Sequence, residues 1–294
     1  MMTNEQETGH SAREARPDLS VIILTFNEER NIRHSVECVL GWARAVFVVD
    51  SFSKDDTVEI ARSHEGVKVY QHAFEDYGKQ WNWALENLPI ETEWVMKLDA
   101  DELVPEECKR EVAETVTKAP AHVGGFALWR KFILMGKWLK HTVERCYDVR
   151  VWRRGRGKFE DCAVNEHLIV TGDVEYLRSP LVHEDRKGIS AWVWRHNRYS
   201  TMEALAFFRR RQSAPAPSGK SIAFRRFLKE KVWPWVPFKP SAYFMYLYVG
   251  RLGFLDGREG LAYARFMGFY FYLIELKKME YRATGDVSSP DVME

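Results

Sequence analysis

The segment EWVMKLDADELVP (residues 93–105) ends an apolar run on three carboxylates within four positions: Asp99, Asp101 and Glu102. In an extended chain, residues i and i+2 point the same way, so Asp99 and Asp101 are expected to face one spot. Two like charges held that close repel and are costly to desolvate unless a cation lies between them. The spacing therefore asks for a metal ion or a strong positive partner. The competing arrangement ties the two acids to Lys97, two residues back on the same strand face, or to Arg130. Two more polar clusters follow apolar runs in the same manner, Thr25 to Glu28 after LSVIILT and Asp50 to Ser53 after AVFVVD.

These clusters need elements to bring them together. LSVIILTFNEERNIRHSVECVL reads as strand, loop and helix, with Ile32, Val36 and Val39 at helical spacing. ARAVFVVDSFSKDDTVEIARSH repeats the order, with a strand to Val49 and a helix from about Asp56. VKVYQHA is a third strand, YGKQWNWALENL a helix and EWVMKLDAD a fourth strand. Near-continuous apolar strands alternating with helices indicate an α/β fold, a mostly parallel sheet covered on both faces. Ligands of such sheets bind beyond the carboxyl ends of the strands, where all three polar clusters fall. From about Gly124 the rhythm changes to aromatic-rich strands with a basic turn, read as a mixed or antiparallel extension of the sheet. SAWVWRHNRYSTMEALAFFRRR is helical, QSAPAPSGKS is a loop or linker, and the remainder is amphipathic and aromatic.

Composition bounds the class. The chain has 294 residues with 46% hydrophobic and 29% charged, enough for a real core, and its eleven Trp need placing. Four scattered cysteines form no CxxC pair, which favours reduced thiols in a cytoplasmic protein. The first residues lack a signal peptide's apolar core and read as a disordered tail, and no stretch reaches the length of a membrane span. Net charge is +1, yet Arg186 to Pro240 holds thirteen Lys or Arg against two Glu, +11, leaving −10 for the rest. One face is thus expected to meet something anionic.

The pieces TFNEERNI, VVDSFSKDDT, GKQWNWAL, KLDADE, VRVWRR, VNEHLIVTGDVEYL, LVHE and WRHNRYSTMEA, in that order over residues 20 to about 204, resemble bacterial glycosyltransferase family 2. More narrowly, they resemble its branch that builds lipopolysaccharide core and related surface glycans. The resemblance implies a GT-A fold, a Rossmann-like sheet flanked by helices, with a helical, basic and aromatic C-terminal extension. It divides the chain into a tail (1–17), a GT-A domain (18–211) and an extension (212–294). It further implies a nucleotide-sugar donor, UDP-linked by preference, a Mg²⁺ or Mn²⁺ ion and an inverting transfer.

Residue chemistry supports these roles beside plainer ones. Thr25 and Asn27 can hydrogen-bond a base or ribose, and the loop through Glu28 leads to a helix N-terminus that favours phosphate; alternatively Asn27 or Glu28 satisfies backbone donors. Asp50, with Ser51 beside it, can accept from uracil or ribose, while Asp55 or Asp56 caps the following helix. Lys79 is placed for the diphosphate, or is a solvated helix residue, and Asn82 lies near the donor as in the family. Arg150 contacts donor or acceptor, or is a solvated strand residue. Hard cations take carboxylate and phosphate oxygens, and the resemblance makes Asp101 the direct ligand, Asp99 a ribose or water-mediated partner and His183 a further ligand. For the base that takes the acceptor's proton, it points to Glu166, with Glu160 and Asp161 as rivals; Asn165 stands where many relatives have His.

The basic, aromatic C-terminal stretch suits an anionic membrane surface at the inner face of the cytoplasmic membrane, and equally a helical subdomain with a solvated basic face. No motif supports a nucleic-acid partner. The expected activity is therefore transfer of a sugar to a lipid-linked or lipopolysaccharide-core-type glycan. The alternative is a non-catalytic GT-A-like scaffold of a polysaccharide-assembly complex. A nucleotidyltransferase lacks support, because the Gly-rich N-terminal loop of such enzymes is missing.

Overall fold

The computed structural model describes residues 16–160, 168–209 and 238–286. The chain divides into two compact units, one of residues 1–129 and 147–181, the other of residues 130–146 and 182–294.

The first unit is built on a twisted sheet. Its strands are β1 (Leu19–Thr25), β2 (Ala45–Asp50), β3 (Val67–Gln71), β4 (Trp94–Asp99), the two-residue β5 (Glu102–Leu103), β6 (Val123–Leu134), which runs on into the second unit, and, after β7 of that unit, β8 (Tyr147–Arg153). The order β3-β2-β1-β4-β8-β6 is parallel from β3 to β4, and β8 runs antiparallel to both β4 and β6. The antiparallel extension expected after Gly124 is thus present. Gly124 lets β6 pass close to the following chain, since a Cβ there would lie 2.2 Å from the Thr171 carbonyl oxygen.

Helices α1 (Ile32–Val39), α2 (Thr57–Arg62), α3 (Tyr77–Asn87) and α4 (Glu106–Lys118) cover the sheet. Strand alternation sends Val21, Ile23, Met96 and Leu98 to one face, where Ile32, Val36 and Val39 of α1 and Val112 of α4 complete a core. Ile22, Phe47, Val49 and Val95 go to the other face, against Trp81 and Ala84 of α3. The aromatic excess is placed here: Trp81 stacks on Phe159 at 5.4 Å and meets Trp152 edge-on at 6.1 Å. Phe159 ends β9 (Gly157–Phe159), which pairs antiparallel with β10 (Leu168–Val170), and β11 (Asp173–Tyr176) adds parallel to β6.

The second unit begins with the hairpin between the end of β6 and β7 (Lys137–Trp138), and includes the end of β12 (Leu181–His183). Its body is helical: α5 (Gly188–Arg209), α6 (Lys239–Met245), a π turn (Tyr246–Gly250), a 3-10 turn (Gly253–Asp256) and α7 (Gly257–Thr284). Trp192 of α5 packs on Phe266 of α7 at 3.9 Å. Lys277 Nζ donates to the Asn197 carbonyl, Asn197 Oδ1, Ser200 Oγ and Thr201 Oγ1, each at 2.7 Å, tying α7 to α5. Asp256 accepts from the backbone N–H groups of Lys140, His141 and Thr142 and from the Thr142 hydroxyl. The glycines and Asp256 of YVGRLGFLDG thus form the turn between α6 and α7.

Candidate active site

The chain leaves β1 outward through β2 and β3, then returns to place β4 on the other side of β1. In open α/β sheets such a reversal is the place where ligands bind, here at the carboxyl ends of β1 and β4. Register puts Thr25 opposite Asp50 and Leu24 opposite Asp99, so the polar ends of three strands lie side by side.

Two loops rise from this edge and are laced together. Asp50 is fully buried and accepts from Thr25 Oγ1 at 3.1 Å, the Ser53 N–H at 2.9 Å, the Ser53 hydroxyl and Gln71 Nε2 at 3.2 Å. Asn27 donates its N–H to Ser53 Oγ and accepts from the Lys54 N–H, both at 2.8 Å. Glu28 donates its N–H to Thr57 Oγ1 at 2.7 Å, and its carboxylate accepts from Asn31 Nδ2 at 2.8 Å. Asp55 accepts from the Thr57 N–H at 3.1 Å just ahead of α2, while Asp56, which holds the N-cap position, makes no side-chain cap hydrogen bond. The plainer role for Asn27, satisfying a backbone donor, is therefore realised. Asn27 and Phe52 hold left-handed backbones (φ 53° and 59°), a conformation unusual outside glycine and concentrated at functional loops. Phe26 and Phe52 are about half exposed (51% and 54%) on these loops. Sequence reading passed over both phenylalanines. Their signal was an apolar aromatic inside each polar cluster.

At the β4 end the expected geometry is altered. The strand stops at Asp99, and Ala100–Asp101 is a turn leading to β5. Strand alternation therefore does not carry Asp101 to the side of Asp99. Instead Glu102 folds back, its carboxylate accepting the Asp99 N–H at 3.0 Å, and is fully buried. Arg150 of β8, 1% exposed, donates through Nη2 to Glu102 Oε1 at 3.0 Å and through Nη1 to Glu102 Oε2 and Asp99 Oδ2, both at 3.1 Å. Asp99 is thus ion-paired, with Arg150, a cation that the sequence alternative of Lys97 or Arg130 did not name. Arg150 is not a solvated strand residue. Burial opposes its charge, but Glu102 and then Asp99 outweigh that and hold its pKa above the ordinary value. Lys97 sits among Tyr77, Trp81 and Phe159, 4.7 Å from the first ring centre. Burial lowers its pKa, with Asp99 opposing, and burial and Asp99 raise that of Tyr77.

A profile of glycosyl transferase family 2 matches residues 20–171, a little over half of the chain. The chain belongs to glycosyl transferase family 2. Its relatives include an uncharacterized glycosyltransferase of Rickettsia typhi, 24% identical over 92% of this chain and 90% of that one, and another of Rickettsia felis, 26% identical over 85% and 87%. Among solved structures it is similar to S. aureus TarS 1–349 in complex with UDP-GlcNAc (15% identity, 90% of this chain and 91% of that one, TM-score 0.48). It is also similar to glucosyl-3-phosphoglycerate synthase from Mycobacterium tuberculosis in complex with Mn²⁺, UDP and glucosyl-3-phosphoglycerate (21% identity, 40% and 44%, TM-score 0.29). Membership of the family makes the protein a glycosyltransferase, and its helix-flanked, mostly parallel sheet is the GT-A architecture expected of that family.

The remaining expected residues of this family 2 enzyme are distributed as follows. Ser51 Oγ accepts from Gln80 Nε2 at 3.2 Å, beside the buried Asp50. Lys79, half exposed, bonds Glu75 at 2.7 Å on its own helix. Asn82 is a clasp, exchanging two 3.0 Å hydrogen bonds with the Phe159 backbone, and so fixes the chain that enters Glu160. Asp161 and Glu166 lie outside the described residues, as does Asn165. His183 belongs to the second unit, stacked on Phe132 at 5.1 Å, where both line a cavity of about 200 Å³ with Asp185 and Trp192. Among the described residues no group of three or more His, Cys, Asp or Glu is arranged to hold a metal ion. Mg²⁺ and Mn²⁺ at nucleotide sites take one or two carboxylates plus phosphate oxygens and water, and Asp101 stands two residues beyond Asp99, in the turn that follows β4.

Proposed function

We propose that this glycosyltransferase moves a sugar from a UDP-linked donor, with inversion, to a lipid-linked or lipopolysaccharide-core-type glycan at an anionic membrane surface. The observation that carries the reading is the meeting of the Thr25, Asp50 and Asp99 strand ends at the sheet's reversal point. Phe26 and Phe52 are suited to stack on the base, and the Asn27–Glu28 loop to hold ribose and phosphate. Asp50 then acts by fixing the Ser51–Ser53 turn, and Arg150 by fixing Asp99. Asp101, with Asp99, would hold a divalent ion, which when bound neutralises the departing diphosphate.

In the transfer, an acceptor hydroxyl oxygen attacks the anomeric carbon from the face opposite the diphosphate. The anomeric C–O bond breaks, its electron pair leaves with the nucleotide, and the hydroxyl proton passes to a carboxylate. Glu166 is the proposed base, ahead of Glu160 and Asp161. The basic composition of residues 186–240 supports an acceptor held at an anionic surface.

The test is the melting temperature with UDP and Mn²⁺ together, since a ligand binding only the folded state raises stability by mass action. A rise of several degrees is expected, and no rise with any nucleoside diphosphate overturns the donor assignment. Glu166→Gln is expected to keep that rise and lose transfer. Retained transfer would move the base to Glu160 or Asp161.

A further inference from the structure

The stretch from Phe238 to Leu255 leaves large apolar side chains in solvent. Met245, Tyr246, Val249, Leu252, Phe254 and Leu255 are each between 46% and 55% exposed, and Phe238 is 84% exposed. Monomeric proteins seldom leave such a contiguous patch bare unless something covers it in use. The backbone is held in unusual conformations to do so: Phe238 and Leu252 have φ of 50° and 60°, a region that bulky side chains seldom occupy. The turn's polar atoms meanwhile point into the second unit. Asp256 is bonded to residues 140–142, and Arg251 donates to the His141 carbonyl at 3.0 Å. The result is a locked knuckle, with its apolar side chains held outward and its polar atoms satisfied inward.

Charge identifies what meets it. From Phe238 to Leu255 there is no acid, and its two cations are engaged inward, Lys239 with Glu275 at 3.2 Å and Arg251 with the His141 carbonyl, so the outward charge comes from α7. Asp256, which follows, is buried at 2% exposure, and Arg258 is 96% exposed. Exposed Arg265 continues the cationic edge along α7. Cations beside Phe, Tyr, Leu and Met are the mixture that settles at a lipid headgroup boundary, apolar groups below and Arg in the anionic layer. No helix among the described residues is long and apolar enough to cross a membrane.

We propose that the Met245–Leu255 knuckle inserts into the headgroup–acyl boundary of an anionic bilayer, with Arg258 on the headgroups. The inference rests on the glycolipid reading for its purpose, and on exposure, charge and backbone for its evidence.

The experiment is co-sedimentation of the full chain with phosphatidylcholine vesicles, with and without phosphatidylglycerol. The wild type is expected to pellet with the anionic vesicles, and backbone amides of residues 246–256 to exchange more slowly there. Phe254→Ser/Leu255→Ser should lower partitioning about tenfold or more with an unchanged melting temperature. Arg258→Glu, which alters no apolar contact, should weaken binding to anionic vesicles only. The proposal falls if the wild type fails to partition or the double variant partitions equally well. It also falls if the same amides are protected without vesicles as protein concentration rises, which would make the knuckle a contact between copies of this chain. The UDP and Mn²⁺ melting shift, measured on the same samples, separates the two readings. Vesicle binding without that shift removes the donor assignment and leaves the knuckle, and the reverse removes only the knuckle.

Discussion

Arg150 carries the electrostatics of the β4 end. It neutralises Glu102, which has no exposure at all, and steadies Asp99, which has some (31% of its side chain). Arg150→Met would leave Glu102 buried without its cation, at a cost of about 3–5 kcal/mol. Urea unfolding should show that loss, and Glu102→Gln added to it should restore much of the stability. Asp101→Ala makes a different prediction. Loss of both transfer and the Mn²⁺-dependent part of the UDP melting shift is expected, with the shift given by UDP alone retained. At this scale the sequence was half legible. The alternation that placed Lys97 and Asp99 on one face holds, because both belong to β4. Asp101 belongs to a turn, where alternation has no meaning, and the partner of Asp99 lies on a strand 51 residues away in the chain.

The loops after β1 and β2 behave as one element, because Asp50, Ser53, Asn27 and Thr57 join them through hydrogen bonds. Such lacing keeps Phe26 and Phe52 exposed and in place before any ligand arrives. Replacing both by Ala should weaken UDP binding by about 1–3 kcal/mol per stacked base, read by calorimetry, with little change in the ligand-free melting temperature. Asn82 makes the opposite prediction. Asn82→Ala opens the clasp between α3 and β9 and should cost about 1–2 kcal/mol of stability whether or not donor is present. Helices and strands here were legible from periodicity, since each sheet face draws its apolar residues at the spacing the covering helix supplies. The lacing was not, because a Ser, Asn or Asp shows its hydrogen-bonding capacity in a sequence but not its partner.

Across the whole molecule, the two units rest on different chemistry. The first is an apolar core on both faces of a sheet; the second adds polar clasps, Lys277 between its helices and Asp256 to residues 140–142. Burial alone would raise the pKa of that carboxyl, but the N–H groups of Thr142, His141 and Lys140 and the Thr142 hydroxyl outweigh it and hold it below the ordinary value. Its folded pKa thus lies below its unfolded one. The stability it contributes is complete above the unfolded value and disappears as pH falls through the folded one. Asp256→Asn should lower the melting temperature at neutral pH and reduce its acid dependence, measured between pH 7 and strongly acidic buffer. The alternating α/β order up to β4 could be read from sequence because each βα unit closes over short distances. The division into units could not, because it cuts through β6 and depends on which distant segments it later meets.

The pairing of Glu102 with Arg150 also sets an order of events during synthesis. A chain leaving the ribosome can assemble β1 through β4 with their helices, yet the outer side of β4 stays bare until β8 arrives. That strand delivers both the missing ladder and the guanidinium. Nascent chains ending before Tyr147 should therefore carry a raw sheet edge beside an uncompensated acid, and truncated products of that length are expected to be held by chaperones or degraded rather than accumulate.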